Sequence, residues 1–177
     1  MFWYKLSDQE KKNLLVRSMK ILSGYSSEYI LKHAKISTKN IASDENGKSI
    51  KIELIDGEPK HPYSVVICEY ETFASMNYSP SNDEQIKTQI NKQIEVRKMV
   101  YGYLESKFPG YAENYYKVHK KQNAIDFKEQ WESAEYEDDE FKEYILDQYE
   151  EIKQDLKDKV KTYFPNKFCN CSDQPHK

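Results

Sequence analysis

The spacing of apolar residues changes twice along this chain, and that change restricts its fold more than any other feature. Up to about residue 34, and again after residue 81, apolar residues recur every three or four positions, which is typical of amphipathic helices. Between residues 36 and 73 they instead alternate with polar residues or form short runs of β-formers. Helices, then strands, then helices predict an α+β fold, because a parallel α/β sheet needs the two to alternate.

The N-terminal segment predicts two helices. The first begins with a capping box, Ser7 to Glu10, in which Ser7 accepts a hydrogen bond from the third helical amide, and it ends at Gly24. A shorter helix restarts after it and ends near Ala34.

Three β-rich runs, over residues 36–43, 49–56 and 63–73, predict an antiparallel meander. Asn46-Gly47 between the first two runs is a strong hairpin signal, because both residues tolerate positive φ. Asp56-Gly57 indicates the second turn. Three strands with one apolar face require helices packed over that face.

After Pro80 the pattern predicts three to four helices: one ending at Pro109-Gly110, then segments over residues 111–121, 124–133 and 138–164. No long linker interrupts the chain. The sequence therefore predicts a single α+β domain over residues 1–165, in which the C-terminal helices pack on the meander, followed by a short tail over residues 166–177.

Negative charge is concentrated between Asp126 and Asp158, a stretch with 14 acidic and 4 basic residues, although the net charge of the whole chain is only −3. One interpretation is a solvated helix face with an acidic first turn, which the helix dipole stabilises. The other is a surface for a basic partner, such as the nucleic-acid-binding cleft of another protein. Direct binding to DNA or RNA is not expected, because the remaining chain is only mildly basic. The densest part of the stretch comprises Glu132, Glu135, Glu137, Asp138, Asp139 and Glu140.

Tyrosines form a second candidate feature. The chain has 15 of them, and Tyr111, Tyr115 and Tyr116 lie close together. Tyrosine is enriched at protein interfaces because its ring provides a large contact area at low entropic cost. A tyrosine-rich edge of the core explains the same cluster, and the sequence does not choose between the two interpretations.

Carboxylates on the predicted meander suggest an enzyme as an alternative. Glu69 and Glu71 share a face of one strand, Glu53 lies on the neighbouring strand and Asp56 ends it, so together they could hold Mg²⁺ in a metal-dependent nuclease or hydrolase. The lysine that often accompanies such carboxylates is missing, because Glu71 occupies its place. Charged residues on a solvent-facing strand explain the same pattern.

The tail contains Cys169 and Cys171, with His176 close behind, and these could contribute ligands to zinc. The run over residues 166–172 resembles the opening of the small C-terminal zinc motif of the SecA type, but the second ligand pair of that motif is missing. A frayed tail with reduced thiols is the other interpretation. Cys68 lies in an apolar strand run and is expected in the core, and His119 is a candidate acid or base among tyrosines and lysines.

No catalytic motif and no cofactor motif is present, and neither a secretory leader nor a membrane span is expected. Three cysteines fit a reducing compartment, so the cytoplasm is the expected location. These features predict a small soluble protein-binding protein that uses its acidic helical face against a basic protein, and inhibitors of the immunity or anti-defence type are the class expected to do so. That class rests on analogy with other small proteins. A homo-oligomer is compatible with the long last helix.

Overall fold

A computed structural model of the protein describes residues 5–44, 47–55, 63–76, 81–134 and 139–165. The described ranges form five helices and four strands, which confirms the predicted α+β class with helices before and after an antiparallel sheet. In chain order the elements are α1 (Asp8–Ser23), α2 (Ser27–His33), β1 (Ala34–Asp44), β2 (Gly47–Leu54), β3 (Tyr63–Cys68), β4 (Thr72–Ser75), α3 (Asp83–Lys107), α4 (Tyr111–Ser133) and α5 (Asp139–Tyr163).

The sheet has the order β1-β2-β3-β4, and every neighbouring pair is antiparallel. The prediction of three strands was wrong by one, because the run over residues 63–73 reverses direction in its middle. There the Cys68 amide donates to the Glu71 carbonyl at 2.7 Å. The connecting residues, Glu69 to Glu71, include none of the usual turn formers, so their composition did not indicate a turn.

One face of the sheet forms the core of the N-terminal part. Ile52 pairs with Ile36 on β1 and with Val65 on β3, and cross-strand partners project from the same face. Helix α1 packs against β1, β2 and β3. On the opposite face Lys51 forms an ion pair with Glu53 at 2.6 Å, and Phe73 is 46% exposed.

The ends of the helices follow from their capping residues. The Ser7 hydroxyl accepts from the Glu10 amide at 3.1 Å, as predicted. Gly24 adopts a left-handed conformation, with φ 80°, which ends α1, and its amide donates to the Lys20 carbonyl. At the start of α3, the Asn82 side chain accepts from the Gln85 amide at 2.9 Å.

The chain divides into two compact units, Met1–Tyr103 and Leu104–Lys177, with the division inside α3. The first unit contains α1, α2, the sheet and most of α3, and the second contains α4 and α5. The single domain over residues 1–165 stays a prediction. Among the described residues, no helix combines the length and the apolar character that crossing a membrane requires.

The start of α4 gives a first testable prediction. Its N-cap residue, Gly110, provides no side-chain acceptor, and the Glu105 carboxylate accepts from the Ala112 amide at 2.7 Å instead. Replacing Glu105 with alanine should lower the free energy of unfolding by about 1–2 kcal/mol, measured by urea denaturation. Glu95→Ala, on the exposed surface of α3, serves as the control and should change it by less than about 0.5 kcal/mol. Equal effects would contradict the capping role.

Candidate functional site

Helices α4 and α5 form an antiparallel hairpin inside the C-terminal unit. Tyr115 contacts Tyr163 edge to face, with ring centroids 6.2 Å apart, whereas Phe127 stacks on Tyr149 at 3.9 Å. Residue numbers therefore rise along α4 as those of their partners fall along α5. The sequence predicted two separate helices over these residues. The structure has one continuous helix, α4, because no helix breaker lies between residues 121 and 124.

This pairing separates the charges of the hairpin into two halves. The half next to the interhelical connection, residues 124–133 with 139–151, carries nine carboxylates and two lysines. The other half, residues 111–123 with 152–164, carries seven lysines and three carboxylates. Each helix is charged unevenly along its length, and the antiparallel arrangement places like-charged halves side by side. The hairpin therefore has an acidic end and a basic end.

Three of the predicted acidic residues lie at the acidic end. Glu132 is on the last turn of α4, whereas Asp139 and Glu140 form the first turn of α5, and all three are exposed. The positive end of the α5 dipole stabilises carboxylates at this position. The other three, Glu135, Glu137 and Asp138, lie outside the described residues.

The predicted tyrosines lie far from these carboxylates. Tyr111 and Tyr115 are buried near the basic end, and both rings contact Phe164. Tyr115 precedes Glu132 by seventeen residues, which corresponds to about 25 Å along a helix. The structure thus does not bring the buried tyrosines onto the acidic surface, whereas Tyr116 is half-buried at the edge of a groove.

No local pattern in the sequence indicated that groove between α4 and α5. Lys120 of α4 and Lys153 and Lys157 of α5 line it together with two tyrosines. Within α5 the spacing of Lys153 and Lys157 indicates one helix face. Only the pairing of the two helices brings Lys120 beside them.

The carboxylates of the predicted metal site lie apart. Glu53 is level with Ser64 of β3, and Glu71 follows the far end of that strand, so about 13 Å separates the two positions along the sheet. Among the described residues, no group of three His, Cys, Asp or Glu side chains could hold a metal ion. Asp56 lies outside those residues. The metal-dependent nuclease or hydrolase stays a prediction.

Glu71 instead takes part in a small polar cluster of the N-terminal unit. Its carboxylate accepts from the buried Tyr101 hydroxyl at 3.4 Å and from the Thr72 amide at 3.3 Å. The Arg97 side chain donates to the Thr72 carbonyl at 3.1 Å. Burial, together with the nearby charge of Glu69, raises the pKa of Tyr70 above its ordinary value. These contacts connect the β3–β4 turn with α3, so Glu71, Tyr101 and Arg97 have a structural role there.

The remaining candidates divide between the core and the undescribed tail. Cys68 is buried, as expected of a core cysteine. The ring centroid of His119 lies 4.2 Å from that of Tyr115. His119 is half-buried, and its role as an acid or base stays a prediction. Cys169, Cys171 and His176 lie outside the described residues, so the zinc interpretation stays a prediction as well.

Comparisons with protein-family models, with curated proteins and with solved structures find no match for this chain.

Proposed function

We propose that this is a cytoplasmic protein-binding protein, an inhibitor of the immunity or anti-defence type, whose acidic hairpin end binds a basic surface of its partner. The observation that carries the proposal is the charge separation along the hairpin, with nine carboxylates against two lysines at one end. Each helix alone already has an acidic half and a basic half. Their antiparallel pairing concentrates one sign at one end, which favours an electrostatically complementary partner.

Apolar side chains beside the carboxylates support the same proposal. Phe141 is 42% exposed and Tyr144 is 56% exposed, on the first two turns of α5, and their ring centroids lie 6.2 Å apart. Aromatic residues surrounded by polar ones are typical of protein interfaces, where the aromatic side chains provide most of the affinity. Carboxylates around them would attract and orient a basic partner, and that attraction weakens as salt screens it.

Charge reversal at the acidic end tests the proposal. The variant replaces Glu132, Asp139 and Glu140 with lysine and is compared with the wild-type protein as bait in lysate of the native host. Partners bound by the wild-type protein at 50 mM NaCl should include a basic protein. We expect its recovery by the variant, quantified by mass spectrometry, to fall about tenfold or more, since several close charge pairs would become repulsive.

The matched control replaces the exposed residues Glu84, Glu95 and Glu113 with lysine and so changes the net charge by the same amount. It should retain the partner at the wild-type level. Equal loss in both triple variants would indicate a general effect of net charge and would contradict the proposed surface. Equal retention of the same proteins by all three baits would contradict it as well.

A further inference from the structure

A groove near the middle of the hairpin, lined mainly by residues of its basic half, has the chemistry of a binding site for a small anion. Its volume is about 300 Å³. Ammonium groups come from Lys120 on α4 and from Lys153 and Lys157 on α5. Asn123 adds an amide to the lining, and none of the described residues that line the groove is acidic.

These ammonium groups are incompletely neutralised. Lys153 contacts Glu150 at 3.3 Å in an exposed pair, which contributes little in water. Among the described residues, Lys120 and Lys157 have no carboxylate within 4.0 Å. An anion placed between the three lysines would relieve their mutual repulsion and receive charge-assisted hydrogen bonds.

The groove also offers apolar surface for the body of a ligand. Leu156 is buried and lines it, and the rings of Tyr116 and Tyr149 are half-buried on opposite helices. Lys120 lies 5.7 Å from the Tyr116 ring centroid, and Lys153 lies 5.2 Å from that of Tyr149. Basic groups beside aromatic rings suit a ligand that carries both negative charge and a planar ring.

From this combination we propose that the groove binds a free mononucleotide, with its phosphate on the lysines and its base against Leu156 and the edges of the two tyrosine rings. The volume lies at the lower end of the range for small-molecule sites, so the ligand is a single nucleotide. The three lysines of the site belong to the basic half of the hairpin, and the proposal is independent of the partner proposed for the acidic half.

Isothermal titration calorimetry of the full chain with AMP as the probe tests the proposal. We expect saturable binding at one site, with affinity that falls as NaCl is raised. Adenosine and inorganic phosphate should each bind at least about tenfold more weakly, because each retains only one part of the recognition. The proposal would be overturned if AMP did not bind, or if inorganic phosphate bound as tightly as AMP. Binding of a ten-nucleotide oligoadenylate without binding of AMP would overturn it as well.

Two pairs of lysine substitutions locate the site. Replacing Lys120 and Lys157 with glutamine should weaken AMP binding about tenfold or more, because two charge-assisted contacts are lost. The control replaces Lys117 and Lys161 with glutamine, which removes the same charge from exposed positions of the same helices outside the groove. This control should change the affinity for AMP less than about twofold. Equal weakening by both pairs would indicate non-specific attraction and overturn the site.

A charge-neutral substitution provides a second test. Asn123→Leu preserves the approximate volume of the side chain but removes its hydrogen-bonding groups from the groove, so AMP should bind several-fold more weakly. Circular dichroism checks that each variant keeps the helical content of the wild-type protein. Unchanged AMP affinity in a folded Asn123→Leu variant, together with unchanged affinity in Lys120→Gln/Lys157→Gln, would place any AMP site elsewhere.

Discussion

Replacing Leu15 with alanine is expected to lower the free energy of unfolding by about 2–5 kcal/mol. Leu15 is 0% exposed on α1, the helix that covers β1, β2 and β3. The substitution removes buried apolar contacts and leaves a cavity that closely packed neighbours fill only in part. The effect should therefore exceed that of an alanine substitution at an exposed helical position.

Urea denaturation followed by circular dichroism measures this effect. Leu31→Ala is the matched control, because Leu31 is also helical but 51% exposed. That control should change the free energy of unfolding by no more than about 0.5 kcal/mol. Similar losses for the two variants would show that α1 does not cover the sheet as described.

Replacing Tyr115 with alanine is the second large effect, with an expected loss of about 3 kcal/mol or more in the stability of the C-terminal unit. Tyr115 is buried on α4, and its ring centroid lies 5.4 Å from that of Phe164 and 6.2 Å from that of Tyr163. Removing the ring takes away contacts to two aromatic side chains that follow or end α5. The hairpin should therefore open at its basic end.

The adjacent residue provides the control for this prediction. Tyr116 is half-buried, so Tyr116→Ala should destabilise the unit by about 1 kcal/mol or less. Thermal unfolding monitored at 222 nm reports on the loss of helix in both variants. If Tyr116→Ala proved more damaging than Tyr115→Ala, the packing described for the hairpin would be wrong.

Local features of this protein were predictable from short stretches of its sequence. The cap at Ser7 and the left-handed end at Gly24 depend on residues within one helical turn. Helices and strands followed from apolar spacing for the same reason. The turn after Cys68 was not predicted, because it contains no typical turn residue. A hydrogen bond from the Cys68 amide to the Glu71 carbonyl closes the turn instead.

The candidate sites depended on contacts between distant residues, which local patterns do not specify. The sequence identified tyrosines near residue 115 but not whether they face solvent, and packing against Phe164 decides that for Tyr115. It located carboxylates on the strands, but the position of Glu71 beyond β3 separates it from Glu53. Burial and proximity are properties of the packed chain.

By itself the sequence determined the α+β class and the excess of acidic residues between Asp126 and Asp158, because spacing and composition are local properties. Only the tertiary structure decided which charges are neighbours. The antiparallel pairing of α4 with α5 joins the acidic halves of both helices at one end and brings Lys120 to Lys153 and Lys157 near the other. The period of a helix determines the face on which a charge lies, but the direction and register of packing determine what that face meets.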